Sequence, residues 1–473
     1  MGGSEERSKK VGTVLAFAAV AAAVLMIVTA NNENLNHTMG SGLSEYISSK
    51  ASAEEKSESK DGEGSSEISS EISSEISSEI SEGAEDDVKG GYVIRENEAG
   101  IRAESEIERL IAEIMITEYE AVARLENADI TGFFEEPDSE NALLNQTVLN
   151  YWVGMRSNSL NNLKLDEYEL GIQYEEINEL EDGCLEVKII EDSRVRFEFL
   201  KGEDSYTSGM PHIFIFRKNE SGYSLVSRER DEGSYILIDE MYEERKEEGN
   251  AAELFAQIEG VLIDASKAAA ETLKQQWEEY EKEPEEYERP RIDWDVDYDA
   301  EAAVEYANSW VGKTETLRNP EWGEYDDYGG NCNNFISQCL FAGGIPMDTK
   351  GTIGVQWKWY GEGVNERQTK KGRSYSWTGV GHFYQYCLHN TGYGLVAWTD
   401  GNYFAGQKGD IMQCGILDAW KHSVIITECV KDENGVTIDY LTASNTSDRI
   451  NYPASAYAYP ELRVIRIFGW NKK

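Results

Sequence analysis

The stretch GGNCNNFISQCLFAGGIPM, Gly329 to Met347, decides how the last third of the chain is read. With Asn331 as N-cap and Cys332 as the first helical residue, Cys332, Phe335, Ile336, Cys339 and Leu340 fall on one apolar stripe of a helix. Gly343 and Gly344 stop that helix, and Pro346 prevents its resumption. Cys332 is thereby placed in the first turn on the core-facing side, with two glycines behind it that leave room for another segment. Unpaired first-turn amides and the positive end of the helix dipole favour a thiolate at this position, which predicts a pKa below the free value of about 8.5. The same amides can donate to an oxyanion. The plain alternative is a small core cysteine like Cys339, and the presence of a base separates the two.

Working outward, the strongest base is His422 in AWKHSVIITECV, Ala419 to Val430, where it begins an apolar strand. The other histidines are His37, His212, His382 and His389. From the start of a strand an imidazole can face a helix N-terminus across the layer, within about 3 Å of a thiol when aligned. A third group must hold one tautomer, and the following strand offers Asp439, Ser444, Asn445 and Asp448. A two-residue turn at Asn434-Gly435 sets Val424 opposite Asn445 and makes Asn445 the diagonal neighbour of His422 on one face. A looser five-residue loop sets Ser444 opposite His422 instead. Asn445 is preferred, because an amide carbonyl is the better acceptor for an imidazole N–H. Trp420 and Asp410 lie close by in sequence as supporting residues.

The segment from about Tyr298 to Trp470 resembles the amidase domain of bacterial surface and spore-associated proteins, a papain-like group akin to the NlpC-type and CHAP cell-wall hydrolases. The resemblance is carried by YDAEAAVEYANSWVG, by the Cys-x-Asn-Phe core of the quoted stretch, by GDIMQC and by HSVIITE. One departure is Asn331, where the pattern usually has aspartate before the cysteine. The resemblance implies an α+β, papain-like fold in which a helix bearing the nucleophile packs on a small antiparallel sheet bearing the base. It implies Cys332 as nucleophile, His422 as base and Asn445 in the place of the third polar residue. The implied activity is a cysteine amidase or peptidase acting through a thioester on a peptide or peptidoglycan-like substrate. Two other readings share the domain: an inactive surface binding module, and an acyl transferase that differs only in what attacks the acyl-enzyme. No metal or organic cofactor is called for, and the six cysteines show no Cys-x-x-Cys or His-x-x-x-His spacing of a zinc site. They are expected to be mostly free, buried thiols.

The remainder of the 473 residues is built differently. Arg7, Lys9 and Lys10 precede an uncharged run from Val11 to Ala30, a signal anchor or cleavable signal peptide just long enough to span about 30 Å of hydrocarbon. The basic flank predicts a cytoplasmic N-terminus, with everything after residue 30 outside the cell membrane, or secreted if the segment is cleaved. SSEISSEISSEISSEISE, Ser65 to Glu82, belongs to an acidic stretch with too few apolar residues to bury a core, so 31–90 is expected to be a disordered stalk. A four-residue period also brings each Ile near the next on a transient or partner-bound, coiled-coil-like helix. The formal net charge is −45 and its acid lies mainly in the front and middle, which argues against nucleic acid as a partner.

ESEIERLIAEIMITEYEAVARLE predicts a helix ahead of alternating segments such as CLEVKII, RVRFEFL and HIFIFRK, an α+β domain over 100–245 with the element order of a cystatin-like or nuclear-transport-factor-like fold. A helical connector over 249–291 then leads to the papain-like domain at 292–473. Aromatic residues are dense in that last segment, as in QWKWY and YSWTG, and are read mainly as packing, with a sugar or peptide groove as a secondary use.

Overall fold

The computed structural model describes residues 88–220, 222–326, 330–349, 358–363 and 372–473. The apolar segment at 11–30 and the stalk up to residue 87 lie outside them. Among the described residues no helix is long and apolar enough to cross a membrane.

One mixed sheet organises the α+β architecture. Strand β1 (Lys89–Arg95) runs parallel to β2 (Leu165–Glu179), and β3 (Cys184–Phe197), β4 (Asp204–Asn219) and β5 (Gly222–Arg230) follow as antiparallel neighbours. The C-terminal strands are β6 (Val296–Asp297), β7 (Gly394–Trp398), β8 (Ile411–Ile416), β9 (Ala419–Lys431), β10 (Thr437–Asn445), β11 (Asp448–Pro453) and β12 (Glu461–Asn471). The path β1-β2-β3-β4-β11-β10-β9-β8-β12-β6 carries the ladder through both regions, with β5 on β4 and β7 on β12. The boundary expected between 100–245 and 292–473 is thus crossed by hydrogen-bonded strands. β1 extends the first region to Lys89; its short apolar core, Tyr92 to Ile94, lies behind two glycines on an edge strand, a weak pattern in sequence.

Opposite its edge with β3, β4 serves two further partners because its chemistry changes midway. Tyr206, Thr207 and Ser208 pair with Ile450, Arg449 and Asp448 of β11, whereas His212 onward pairs with β5. Between them Gly209 has φ +76°, and Pro211 has no amide hydrogen to give a ladder.

Helices α1 (Ser105–Arg124) and α2 (Glu140–Ser157) pack on the first region through Ile111, Met115 and Leu149 against Leu170, Tyr174 and Phe214. After α3 (Gly233–Glu243), α4 (Ala251–Tyr280) does more than connect. It buries Leu254, Phe255, Ile258 and Leu262 against Val148 and Tyr151 of α2 and Ile416 of β8. Gln276 of α4 also accepts from Asn402 Nδ2 through its carbonyl and from the Tyr403 amide through its side chain. A short α5 (Pro284–Glu288) leads on to α6 (Ala300–Ser309), α7 (Asn331–Ala342), α8 (Tyr375–Thr378) and α9 (Val380–His389).

The C-terminal strands are covered on both faces, which is why VIIT in β9 reads as a continuous apolar run. Val424 and Ile426 join Met412, Tyr440 and the first region's core. Ile425 points the other way, to Phe335 and Ile336 of α7 with Ala443 and Ile465.

Candidate active site

α7 begins one residue earlier than its sequence suggests. Gly330 is the N-cap, Asn331 is helical, and no side chain caps the end. The far end matches expectation: Gly343 caps, Gly344 takes φ +91°, and the Ile345 amide donates to the Leu340 carbonyl. Every residue from Asn331 to Leu340 is buried, so the helix lies within the domain, and the apolar stripe describes only part of its surroundings.

Its polar residues are held by a connected network. Asn333 Nδ2 donates to the Ser376 and Trp377 carbonyls, both at 3.1 Å, and its Oδ1 accepts from Ser423 Oγ at 2.9 Å. Gln413 Nε2 donates in turn to Ser423 Oγ. Asn334 donates to Asn331 Oδ1 at 2.8 Å and accepts from the Trp377 indole at 2.8 Å. Ser337 Oγ donates to the Trp377 carbonyl and accepts from the Trp359 indole. Sequence reasoning missed these residues. The available signal was the run of three asparagines around one cysteine in an otherwise apolar helix.

Cys332 is 3% exposed, and the side chain of the exposed Thr446 reaches its sulfur. Burial raises its thiol pKa above the ordinary value, and the backbone amides of Ser423 and Asn333 and the Thr446 side chain oppose that rise. Of the two amides only that of Asn333 belongs to the helix start, and it acts in the direction foreseen from sequence, as does the Ser423 amide of β9. The net shift is nevertheless upward, because desolvation of a fully enclosed sulfur outweighs them. The nearby Asp326 carboxylate pushes the same way as burial.

His422 directly precedes the Ser423 amide that acts on the sulfur, but its side chain is on the other side of the strand. Ser423 meets Asn333 of α7, whereas the His422 ring packs against Tyr457 with centroids 5.5 Å apart. Its cross-strand neighbour is Cys414, whose core also holds Val424 and Tyr457. No hydrogen bond joins the imidazole to Cys332 or to Asn445. Burial and the Arg449 cation push its pKa down to about 3, so the ring is neutral near pH 7.

Asn445 lies instead beside the nucleophile helix, its Oδ1 accepting from Asn331 Nδ2 at 3.4 Å. The register explains the difference from the expected pairing with His422. The turn is wider than two residues, with Asp432 accepting from the Val436 amide and Gly435 at φ +81°. That wider turn sets Thr437 opposite Lys431, and the irregularities between Thr437 and Asp439 and between Leu441 and Thr442 cancel, so Ala443 comes opposite Ile425. That register carries Asn445 toward Ser423 and onto the α7 face, rather than opposite Val424. Ser444 turns to the other face and meets the Tyr457 hydroxyl. The remaining polar candidates are structural. Asp448 binds Arg318 at 2.7 Å and the Gly312 and Leu317 amides; Asp439 binds Ser455 and Asn161. Asp410 pairs with Arg466 at 2.8 Å, and Trp420 stacks on Arg463. All six cysteines are unpaired, five of them buried.

Known proteins resemble parts of this chain. A 100-residue stretch is 40% identical to an uncharacterized protein, YhbB, of Bacillus subtilis (strain 168), covering 21% of this chain and 27% of that protein. The chain therefore spans only about a quarter of that relative's length. No solved structure matches. Residues 297–467, which hold α6, α7 and the strands around Cys332, match the family model described as "Putative amidase domain", and this part of the chain carries a domain of that family.

Proposed function

We propose that the C-terminal domain is a cysteine-dependent amidase or peptidase of papain-like organisation, acting on amide bonds of cell-wall peptide and held at the cell membrane by its N-terminal segment. One observation carries the cysteine mechanism: Cys332 lies in the first turn of a buried helix, where one amide of that helix, one of β9 and the Thr446 side chain act on its sulfur. The match of residues 297–467 to an amidase family supports the reaction class.

In this mechanism the Cys332 sulfur attacks the amide carbonyl while its proton passes to the His422 imidazole. First-turn amides of α7 hold the oxyanion, and the imidazolium returns the proton to the departing amine. Water then cleaves the thioester, releasing a carboxylic acid and regenerating the thiol. Both groups rest uncharged, thiol and imidazole, and because the ring stands on the opposite face of β9 from Cys332, the first step requires the start of β9 itself to rearrange, since side-chain rotation alone leaves the imidazole against Tyr457. Asn445 serves the helix side of the site, through Asn331.

A second reading, a binding module without turnover, is favoured by the missing hydrogen bond between His422 and Cys332. One experiment separates the two. Full-length protein is incubated with purified muropeptides, and new amine and carboxyl ends are sought by mass spectrometry. The amidase reading expects new ends that vanish in Cys332→Ala. Muropeptides that bind but stay intact would leave the binding module.

A further inference from the structure

A cavity of about 100 Å³ lies where α1, α2, β3 and β4 meet β11 and the segment after it. Neither Cys332 nor His422 lines it. Its three carboxylates are committed to the wall itself. Glu118 pairs with Arg228 at 2.7 Å and Arg230 at 3.2 Å, and Glu191 with His212 at 2.8 Å and the Tyr119 hydroxyl. Glu232 accepts from the Ser234 and Tyr235 amides at the start of α3.

Two guanidinium groups of the wall make no close ion pair among the described residues, although the Glu232 carboxylate lies near enough to Arg449 to act on its charge. Arg156 of α2 donates to the Tyr452 hydroxyl at 3.1 Å and lies over Phe197, without a carboxylate in ion-pair range. Arg449 of β11 stacks on Tyr452 and Tyr457, each at 4.6 Å, and its buried Nε finds no acceptor among the described residues. Half-buried guanidinium groups without a close ion pair, one with a buried Nε that lacks an acceptor, are costly, and a chain of net charge −45 does not lack acids to supply a partner. We propose that this cavity binds a small organic carboxylate, held between Arg156 and Arg449 on either side of Tyr452, with its apolar part against Trp152 and Val195. The planar donor fork of arginine suits a carboxylate over a spherical anion, and the aromatic wall suits a ligand with some hydrocarbon.

The probe is N-acetylalanine, titrated calorimetrically into full-length protein, with its uncharged primary amide as matched control. The expected result is saturable binding of the acid and at least about tenfold weaker binding of the amide. Arg449→Met and Arg156→Met should each weaken the acid by about tenfold or more, with circular dichroism confirming the fold. Should Arg449→Met fail to fold, Arg156→Met and Arg156→Lys decide, the lysine keeping the charge but losing the fork. Equal binding of acid and amide, absence of binding, or an unchanged Arg156→Met overturns the proposal. Cys332→Ala should bind the acid as the unaltered protein does, so the outcome is independent of whether the C-terminal domain hydrolyses amides.

Discussion

Asn333 links the nucleophile helix to two other parts of the domain through one side chain. It serves two carbonyls of the Ser376–Trp377 segment and the Ser423 hydroxyl beside His422, all buried. Asn333→Ala leaves those groups short of partners in a place water cannot easily replace, and should lower stability by roughly 2–3 kcal/mol. Urea unfolding with an unchanged m-value and a lower midpoint is the expected outcome. His422 offers a pH-dependent counterpart. Its folded pKa is depressed to about 3, so below the unfolded value of about 6.5 the unfolded chain takes up a proton that the folded chain refuses. Its contribution is present above pH 6.5 and is lost as pH falls from there toward 3. His422→Gln should flatten the fall of melting temperature between pH 6.5 and 4, relative to the unaltered protein. Arg449 is a second cause of that low pKa, so Arg449→Met should raise it. An imidazole titration followed by NMR reads the shift directly.

Among the elements, β4 shows how one residue redirects a strand. Gly209 takes φ +76°, and a Cβ there would stand 2.1 Å from Thr316 Cγ2. Gly209→Ala should therefore destabilise by about 1–2 kcal/mol through backbone strain and overlap together. Adding Thr316→Ala should recover the steric share only, and a double-mutant cycle measures the two parts. Such features also mark the limit of what the sequence reveals. The helix at Asn331 and the apolar run of β9 follow from local periodicity and glycine stops, and both were legible. The partner of Asn445 was not, because it depends on a turn one residue wider than Asn434-Gly435, which pairs Asp432 with Val436 and sets the β9–β10 register one position away from the expected one. The Ser423–Asn333 contact and the Asn331–Asn445 contact join residues about a hundred positions apart through that register. The downward pKa of His422 depends first on burial of the ring and then on Arg449 arriving from β11, and the upward one of Cys332 on how completely the sulfur is enclosed.

At the scale of the whole molecule, the two regions share one sheet and one core. β11 gives one edge to β10 and the other to β4, and the inner face of β8 to β10 buries Met412, Val424, Ile426 and Tyr440 in the cluster that also holds Ile111, Tyr174 and Phe214. α4 closes the arrangement by packing on α2 and β8 together. Cutting the chain at residue 292 would therefore strip one face of the sheet that carries His422 and leave the β11 edge unpaired. Each large apolar side chain so exposed forfeits roughly 1.5–3 kcal/mol of burial, and several are involved against a typical domain stability of about 5–15 kcal/mol. The excised 292–473 fragment should accordingly bind a hydrophobic dye and lose its cooperative thermal transition, while 88–473 unfolds in a single step. A 292–473 fragment that melts cooperatively without dye binding would mean that the shared face is an interface between two self-sufficient cores. Hydrolysis assays on the excised fragment could then stand in for the whole chain. If the fragment is unfolded as expected, loss of activity on truncation reports loss of the sheet that positions the site, and only the longer chain can test the chemistry of Cys332.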